Sequence, residues 1–148
     1  MPIIEDFDAR YLLGVDAMDV THREFVGLVN RLAASDNAGF AAGFPELVAH
    51  TREHFAGEDR LMEACRFPAI AEHRAEHARV LGDLERLASK VVSGRARLAR
   101  AYVVEQLPSW FDLHAATMDS ALAARIKGSV RVAAPLAGGG LDKTGSTG

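Results

Sequence analysis

The sequence predicts an all-α fold, an antiparallel up-down-up-down four-helix bundle with an N-terminal arm and a flexible C-terminal tail. Three observations carry this expectation. Apolar residues recur at steps of three and four in four separate segments, the period of one face of an α-helix. Short polar or Gly/Pro-containing junctions separate the segments, which favours antiparallel neighbours. The 148 residues suit one domain, because a chain of this size buries roughly 70% of its unfolded surface.

Residues 1–15 mix apolar and acidic residues without period and read as an extended arm. In the first segment Met18, His22, Phe25, Val29 and Leu32 step by 4, 3, 4 and 3, with Asp16 placed to cap the helix N-terminus. Ser35-Asp36-Asn37 marks the first junction. The second stripe is Leu47, His50, His54, Glu58, Leu61 and Cys65. Phe67-Pro68 follows, with Pro68 suited to opening the next helix. The third stripe is Ile70, His73, His77, Val80, Leu84, Leu87 and Val91, ended by Ser93-Gly94. The fourth, Leu107, Phe111, His114, Met118 and Leu122, is less regular and contains Pro108. An interior proline removes a hydrogen bond and clashes with the preceding turn, at about 3 kcal/mol unless accommodated. A kink is expected there, the alternative being two shorter pieces meeting near Leu107. Residues 128–148 hold six glycines along with Pro135, Ser and Thr, the composition of a flexible tail. The expected organisation is a domain over residues 1–127 and a tail over 128–148.

Composition narrows the function. Lys and Arg number 17 against 20 Asp and Glu, a formal charge of −3, which argues against a nucleic-acid binder with its basic face. The hydrophobic 49% and charged 25% are ordinary for a globular protein. Cys65 stands alone and cannot close an internal disulfide, so nothing points to an oxidising compartment. No apolar run approaches the roughly 18 residues of a membrane span, and the acidic start (Glu5, Asp6, Asp8) lacks the basic n-region of a signal peptide. A cytoplasmic protein without membrane insertion is expected.

The core stripes contain titratable side chains. His22 lies on the first, His54 and Glu58 on the second, His73 and His77 on the third, His114 on the fourth. Buried charges are costly unless paired or bound to a metal. One histidine on an apolar face is usually a satisfied core residue; five of them with a carboxylate, drawn from four helices, need a shared cause, and a metal supplies it. Residues i and i+4 share a helix face, so His54/Glu58 and His73/His77 can each send two donors to one centre. With Asp119 the set reaches seven side chains, more than one ion takes, and suits two metals bridged by Glu58 and Asp119. Imidazole suits Fe, Zn, Cu or Ni, and carboxylates shift the choice toward Fe or Mn. The absence of a thiolate disfavours structural zinc. Asp119 is the geometric difficulty: five residues after His114 is about 140° away on a regular helix. A single-turn π-bulge between them would bring both inward and is expected.

The order Asp19-x-x-His22, His54-Phe55-x-x-Glu58-x-x-x-Met62, Phe67-Pro68-x4-His73-x-x-x-His77 and Trp110-x-x-x-His114-x4-Asp119 resembles the hemerythrins, in particular their single-domain bacterial members, over about residues 5–126. The resemblance implies an oxo- or hydroxo-bridged pair of iron ions that binds O2 reversibly. It implies that His73, His77 and His114 hold one iron, that His22 and His54 hold the other with one position free, and that Glu58 and Asp119 bridge. The protein would be an oxygen carrier, storing O2 or delivering it to an oxygen-consuming enzyme, with no catalytic residue and no enzyme activity. Phe25, Phe55, Met62, Trp110, Phe111 and Met118, one turn from a ligand, are candidates for an apolar surround that keeps water out.

The chain departs from the family pattern. Ala115-Ala116 stands where bulky aliphatics commonly follow the fourth-helix histidine, Phe111 where Leu is frequent, Asp59 where a second Glu follows Glu58, and Phe7 for an arm tryptophan. The two alanines lead us to expect a more accessible pocket and faster autoxidation. His50 is expected to be a partly exposed core residue, Cys65 a buried small one, and Arg95, Arg97 and Arg100 a solvated face.

Other readings compete. Oxygen sensing, or NO or iron handling, would use the same site; the lack of an attached signalling domain favours storage or delivery. His50-x-x-Glu53-His54 and His73-x-x-Glu76-His77 both match H-x-x-E-H, so a zinc-dependent hydrolase is the weaker alternative. A ferritin-like oxidase needs paired Glu-x-x-His motifs, which this chain lacks. A helical interaction module with incidental histidines would bind no stoichiometric metal.

Overall fold

The protein, seen in a computed structural model that describes residues 2–129, is all-helical over those residues. After a short helical turn, α1 (Phe7–Arg10), come α2 (Asp16–Ala34), α3 (Asn37–Ala64) and α4 (Ile70–Val92). The last helix, α5, covers residues 97–129. It is α-helical at Arg97–Ala101, at Leu107–His114 and again over residues 120–129, with π-helical turns at Tyr102–Gln106 and Ala115–Asp119. Links of two, five and four residues join α2 to α3, α3 to α4 and α4 to α5, so successive helices run antiparallel. The domain boundary expected after residue 127 falls inside α5, and from residue 130 on the expected tail lies outside the described residues.

Local chemistry sets the helix ends. Asp36 caps α3, its Oδ1 accepting from the Gly39 amide at 2.8 Å. Both α3 and α4 end with a left-handed residue followed by a wrapped amide. At α3 this is Arg66 (φ 52), with Phe67 N donating to Met62 O at 2.9 Å. At α4 it is Gly94 (φ 80), with Arg95 N donating to Lys90 O at 2.8 Å. Where α2 and α3 meet, a Cβ at Gly43 would lie 2.8 Å from Leu32 Cδ2, so any larger residue there requires the Leu32 side chain to shift.

Three local expectations are corrected. Asp16 does not cap α2 but is its first residue; Asp19, one turn later, accepts from the amides of Leu13 and Gly14 at 2.8 and 3.0 Å and ties the arm to the helix. Pro68 lies in the turn before α4, which begins at Ile70. The arm is not wholly extended, because Asp6 adopts a left-handed conformation (φ 55) that starts the α1 turn. At Pro108 the chain does not split into two pieces. Backbone dihedrals stay helical through Gln106 and Leu107, and the π turn at Tyr102–Gln106 opens the ladder one step ahead of the proline, where the missing N–H and the ring would otherwise disrupt it.

The core is two apolar clusters. The larger centres on Phe25, Phe40, Phe44, Leu84, Leu107 and Phe111, all buried. The smaller joins Met18, Met62, Phe67, Leu122 and Ala123. Asn30 fastens the arm over the larger one: its Oδ1 accepts from the amides of Ile3 and Ile4 at 3.0 and 2.9 Å, and its Nδ2 donates to Ile4 O at 3.0 Å. Asn30→Ala should therefore destabilise the fold by about 1–3 kcal/mol. In hydrogen exchange the Ile3 and Ile4 amides should lose protection while those of α3 and α4 keep it.

Candidate metal centre

Five imidazoles and two carboxylates meet in the interior. His22 projects from α2, His54 and Glu58 from α3, His73 and His77 from α4, and His114 and Asp119 from α5; all are buried. The i, i+4 pairs need only regular helix. Asp119 needs the π turn over Ala115–Asp119, which absorbs one residue after His114 and brings the carboxylate to the same side, as expected from the spacing.

Each carboxylate sends one oxygen to each of two groups of imidazoles. Glu58 Oε2 lies 2.9 Å from both His22 Nε2 and His54 Nε2. Its Oε1 lies 3.3 and 3.1 Å from the Nε2 atoms of His73 and His77. Asp119 Oδ2 is 3.2 Å from His22 Nε2, and its Oδ1 is 3.1 and 3.2 Å from the Nε2 atoms of His73 and His114. The donor atoms form two overlapping sets, Glu58/His73/His77/His114/Asp119 and His22/His54/Glu58, each spanning no more than 4.8 Å.

Glu58 Oε2 accepts hydrogen bonds from His22 and His54, but the other side chains do not satisfy one another. The Nε2 atoms of His73, His77 and His114, Glu58 Oε1 and both Asp119 oxygens are buried without a hydrogen-bond partner. They approach closely but are aimed at a shared centre rather than along donor–acceptor lines. Orphaned buried polar atoms are rare because each costs about 1–3 kcal/mol. A cation among them would remove that cost, and the all-nitrogen-and-oxygen donor set fits iron or a similar transition metal.

Without a cation the carboxylates draw protons onto the rings. Burial alone would lower His22, but Asp119 and Glu58 outweigh it and raise its pKa to about 10. His73 is likewise raised to about 9, against burial, by the same two carboxylates. His77 moves down, chiefly through burial. Burial would push Glu58 and Asp119 up, yet the surrounding imidazoles hold both below the ordinary carboxylate range. The two carboxylates thus favour the protonated form of His22 and His73.

Aromatic rings cover most of the outer faces of the cluster. Phe55 stacks on His77 with centroids 3.9 Å apart, and Trp110 on His114 at 4.5 Å. Phe111 meets His22 edge-on at 5.3 Å, and Phe25 meets His54 edge-on at 5.7 Å. Met62 is buried in the smaller apolar cluster, and Met118 is half-buried. Sequence reasoning missed Glu76, whose Oε1 accepts from Trp110 Nε1 at 3.1 Å and so holds the ring that covers His114. Its only signal was its place in the H-x-x-E-H pattern, and there it faces Trp110 and Arg79. Glu53, the central residue of the other match, is exposed.

Three expectations change. Ala116 is exposed and cannot widen an interior pocket, while Ala115 is buried beside the larger apolar cluster and Phe111 fills the space next to His22. Arg100 is not simply solvated: it donates to Ser35 O at 3.0 Å and lies over the Phe40 ring. His50 is half-buried and 3.1 Å from Glu24 Oε1, outside the cluster, and Cys65 is half-buried rather than buried. No helix among the described residues is long and apolar enough to cross a membrane.

Comparison with known proteins agrees with this geometry. Residues 13–126 match the hemerythrin HHE cation binding domain. The chain is 38% identical to a bacteriohemerythrin of Ralstonia nicotianae over 80% of its own length and 85% of the relative's. It is 24% identical to a myohemerythrin of Riftia pachyptila, over 68% and 82% of the two chains. A crystal structure of a hemerythrin variant superposes with a TM-score of 0.77 at 21% identity, covering 85% of this chain and 98% of the other, which supports the shared fold.

The protonation pattern has two measurable consequences. A metal needs neutral imidazole, so loading the centre near neutral pH should release roughly two protons per chain, those of His22 and His73. Stability of the metal-free protein should peak at about pH 5–6.5. Stabilisation from the raised histidines is full below their unfolded value of 6.5 and is lost as pH climbs toward 9–10. Stabilisation from the lowered carboxylates is lost as pH falls below about 4. Urea titrations across pH check the second; pH-stat or calorimetric titration with metal in two buffers checks the first.

Proposed function

Because the chain belongs to the hemerythrin family, we propose that it holds two iron ions and binds O2 reversibly, serving as an oxygen store or as a carrier to an oxygen-consuming enzyme. The observation that carries the reading is the division of each carboxylate, one oxygen toward His22 or the His22/His54 pair and the other toward the His73 side. On this reading His73, His77 and His114 would hold one ion and His22 and His54 the other, with Glu58 and Asp119 offering an oxygen to each. When bound, the two irons supply the electrons for reversible uptake of O2.

The remaining work belongs to the chain. Three imidazoles on one side and two on the other leave the His22/His54 side with spare coordination capacity. Phe25 and Phe111 flank that side, and Phe55 and Trp110 shield the other. They keep bulk water from the donors and strengthen every electrostatic interaction inside. Glu76 positions Trp110 through the indole N–H.

Anaerobic reconstitution with Fe(II) should give two irons per chain and a visible band that appears with O2 and disappears on deoxygenation. Zinc as the only retained metal, or iron with no reversible colour, would overturn the reading. Asp119→Ala should lower the iron content below two per chain in the same assay. Phe111→Ala should speed oxidation of the loaded protein in air several-fold, whereas Ala116→Ile, at an exposed position, should leave that rate unchanged; both are read from the decay of the band.

A further inference from the structure

We propose that a hollow between α2 and α3 is the path by which O2-sized neutral molecules reach the His22/His54 side of the centre, and that Gly57 keeps it open. The proposal rests on the metal-site reading above. The hollow has a volume of about 320 Å³, and its wall includes His54 and Glu58, two of the three residues of the smaller donor set. Around them are Met18, Thr21, Gly57 and Leu61. A water occupies about 30 Å³ in the liquid, so the space admits several diatomic molecules at once.

The contrast with the other flanks gives the hollow its meaning. Phe25, Phe55, Trp110 and Phe111 each press on an imidazole of the cluster, whereas no aromatic residue lines the hollow. It therefore approaches His54 and Glu58 from the flank between α2 and α3, where no ring closes the wall, on the side with spare coordination capacity. Glycine is disfavoured within a helix, and nothing crowds Gly57. A Cβ there would meet only Arg60 Nη2, at 3.7 Å, an ordinary contact with a flexible side chain. Close packing therefore does not require the glycine, which borders the free volume of the hollow. At the rim Glu53 and Arg60 carry opposite charges, so the opening has no net charge to draw anions. Met18 and Leu61 favour neutral, weakly hydrated molecules.

Two measurements test the path, one of them on the metal-free protein. Dissolved O2 is paramagnetic and speeds nuclear relaxation wherever it resides. Met18 and Met62 are equally buried, within the same apolar cluster, but only Met18 lines the hollow. O2 pressure should relax the Met18 methyl several-fold more than the Met62 methyl, and Gly57→Leu should abolish the difference. In the iron-loaded protein, stopped-flow mixing of the reduced form with O2 should give an association rate at least tenfold slower in Gly57→Leu. Gly57→Ala should fall between it and the parent, and the rate should not depend on ionic strength. Equal relaxation of the two methyls, or an unchanged association rate in Gly57→Leu, would overturn the path. If the parent showed no reversible colour, the di-iron reading would fall while the methyl comparison still reported on the hollow.

Discussion

Everything in this molecule answers to one electrostatic constraint: five imidazoles and two carboxylates are buried together where water cannot solvate them. Such a set is tolerable only if charge is balanced and each donor has something to face. The carboxylates solve half of this by standing between the imidazole groups and favouring the protonated form of His22 and His73. The orphaned atoms of His73, His77, His114 and Asp119 show the other half, which protein groups leave unsolved. A cation held between the two apolar clusters would relieve that strain and add its binding free energy to folding. The same arrangement makes that affinity depend on pH, because protons and metal compete for the same nitrogens.

That constraint dictates irregularity in α5. Three helices bring in their donors with regular geometry, since single residues and i, i+4 pairs lie on one face of any α-helix. The fourth must present His114 and Asp119, five residues apart, and does so only by widening one turn. A second wide turn, upstream at Tyr102–Gln106, accommodates Pro108. One helix thus carries two departures with different causes, one serving the donor set and one serving the backbone.

How much of this was legible in the sequence follows the range of the interactions. The four helices, their order and the seven side chains that meet in the core could be read from it because each depends on spacing within one segment, and the π turn followed from the angle between His114 and Asp119. What escaped depends on contacts between segments. Asp19 looked like part of a ligand motif, but its carboxylate binds the Leu13 and Gly14 amides of the arm. Glu76 looked like a chance motif residue, but it holds Trp110 from the neighbouring helix. Ala116 looked interior from its place after His114 in the family pattern, but it is exposed while Ala115 is buried. Pairing between helices has no period to betray it.

The shielding of the centre is uneven in a way that follows from what it must do. On the proposed reading, the centre would have to exclude bulk water and still admit a molecule from solution, and a fully sealed core would satisfy only the first demand. Aromatic rings are suited to sealing, since they bury large area with few rotatable bonds and lie flat or edge-on against imidazole. They occupy the α5 side of His22 and His114 and the neighbouring faces of His54 and His77. Between α2 and α3 the lining changes to glycine, threonine, methionine and leucine. These are small or flexible, with methionine the most adaptable of the apolar side chains. Rigid closure on the aromatic flanks and yielding closure on the remaining one reconcile the two demands without moving any helix.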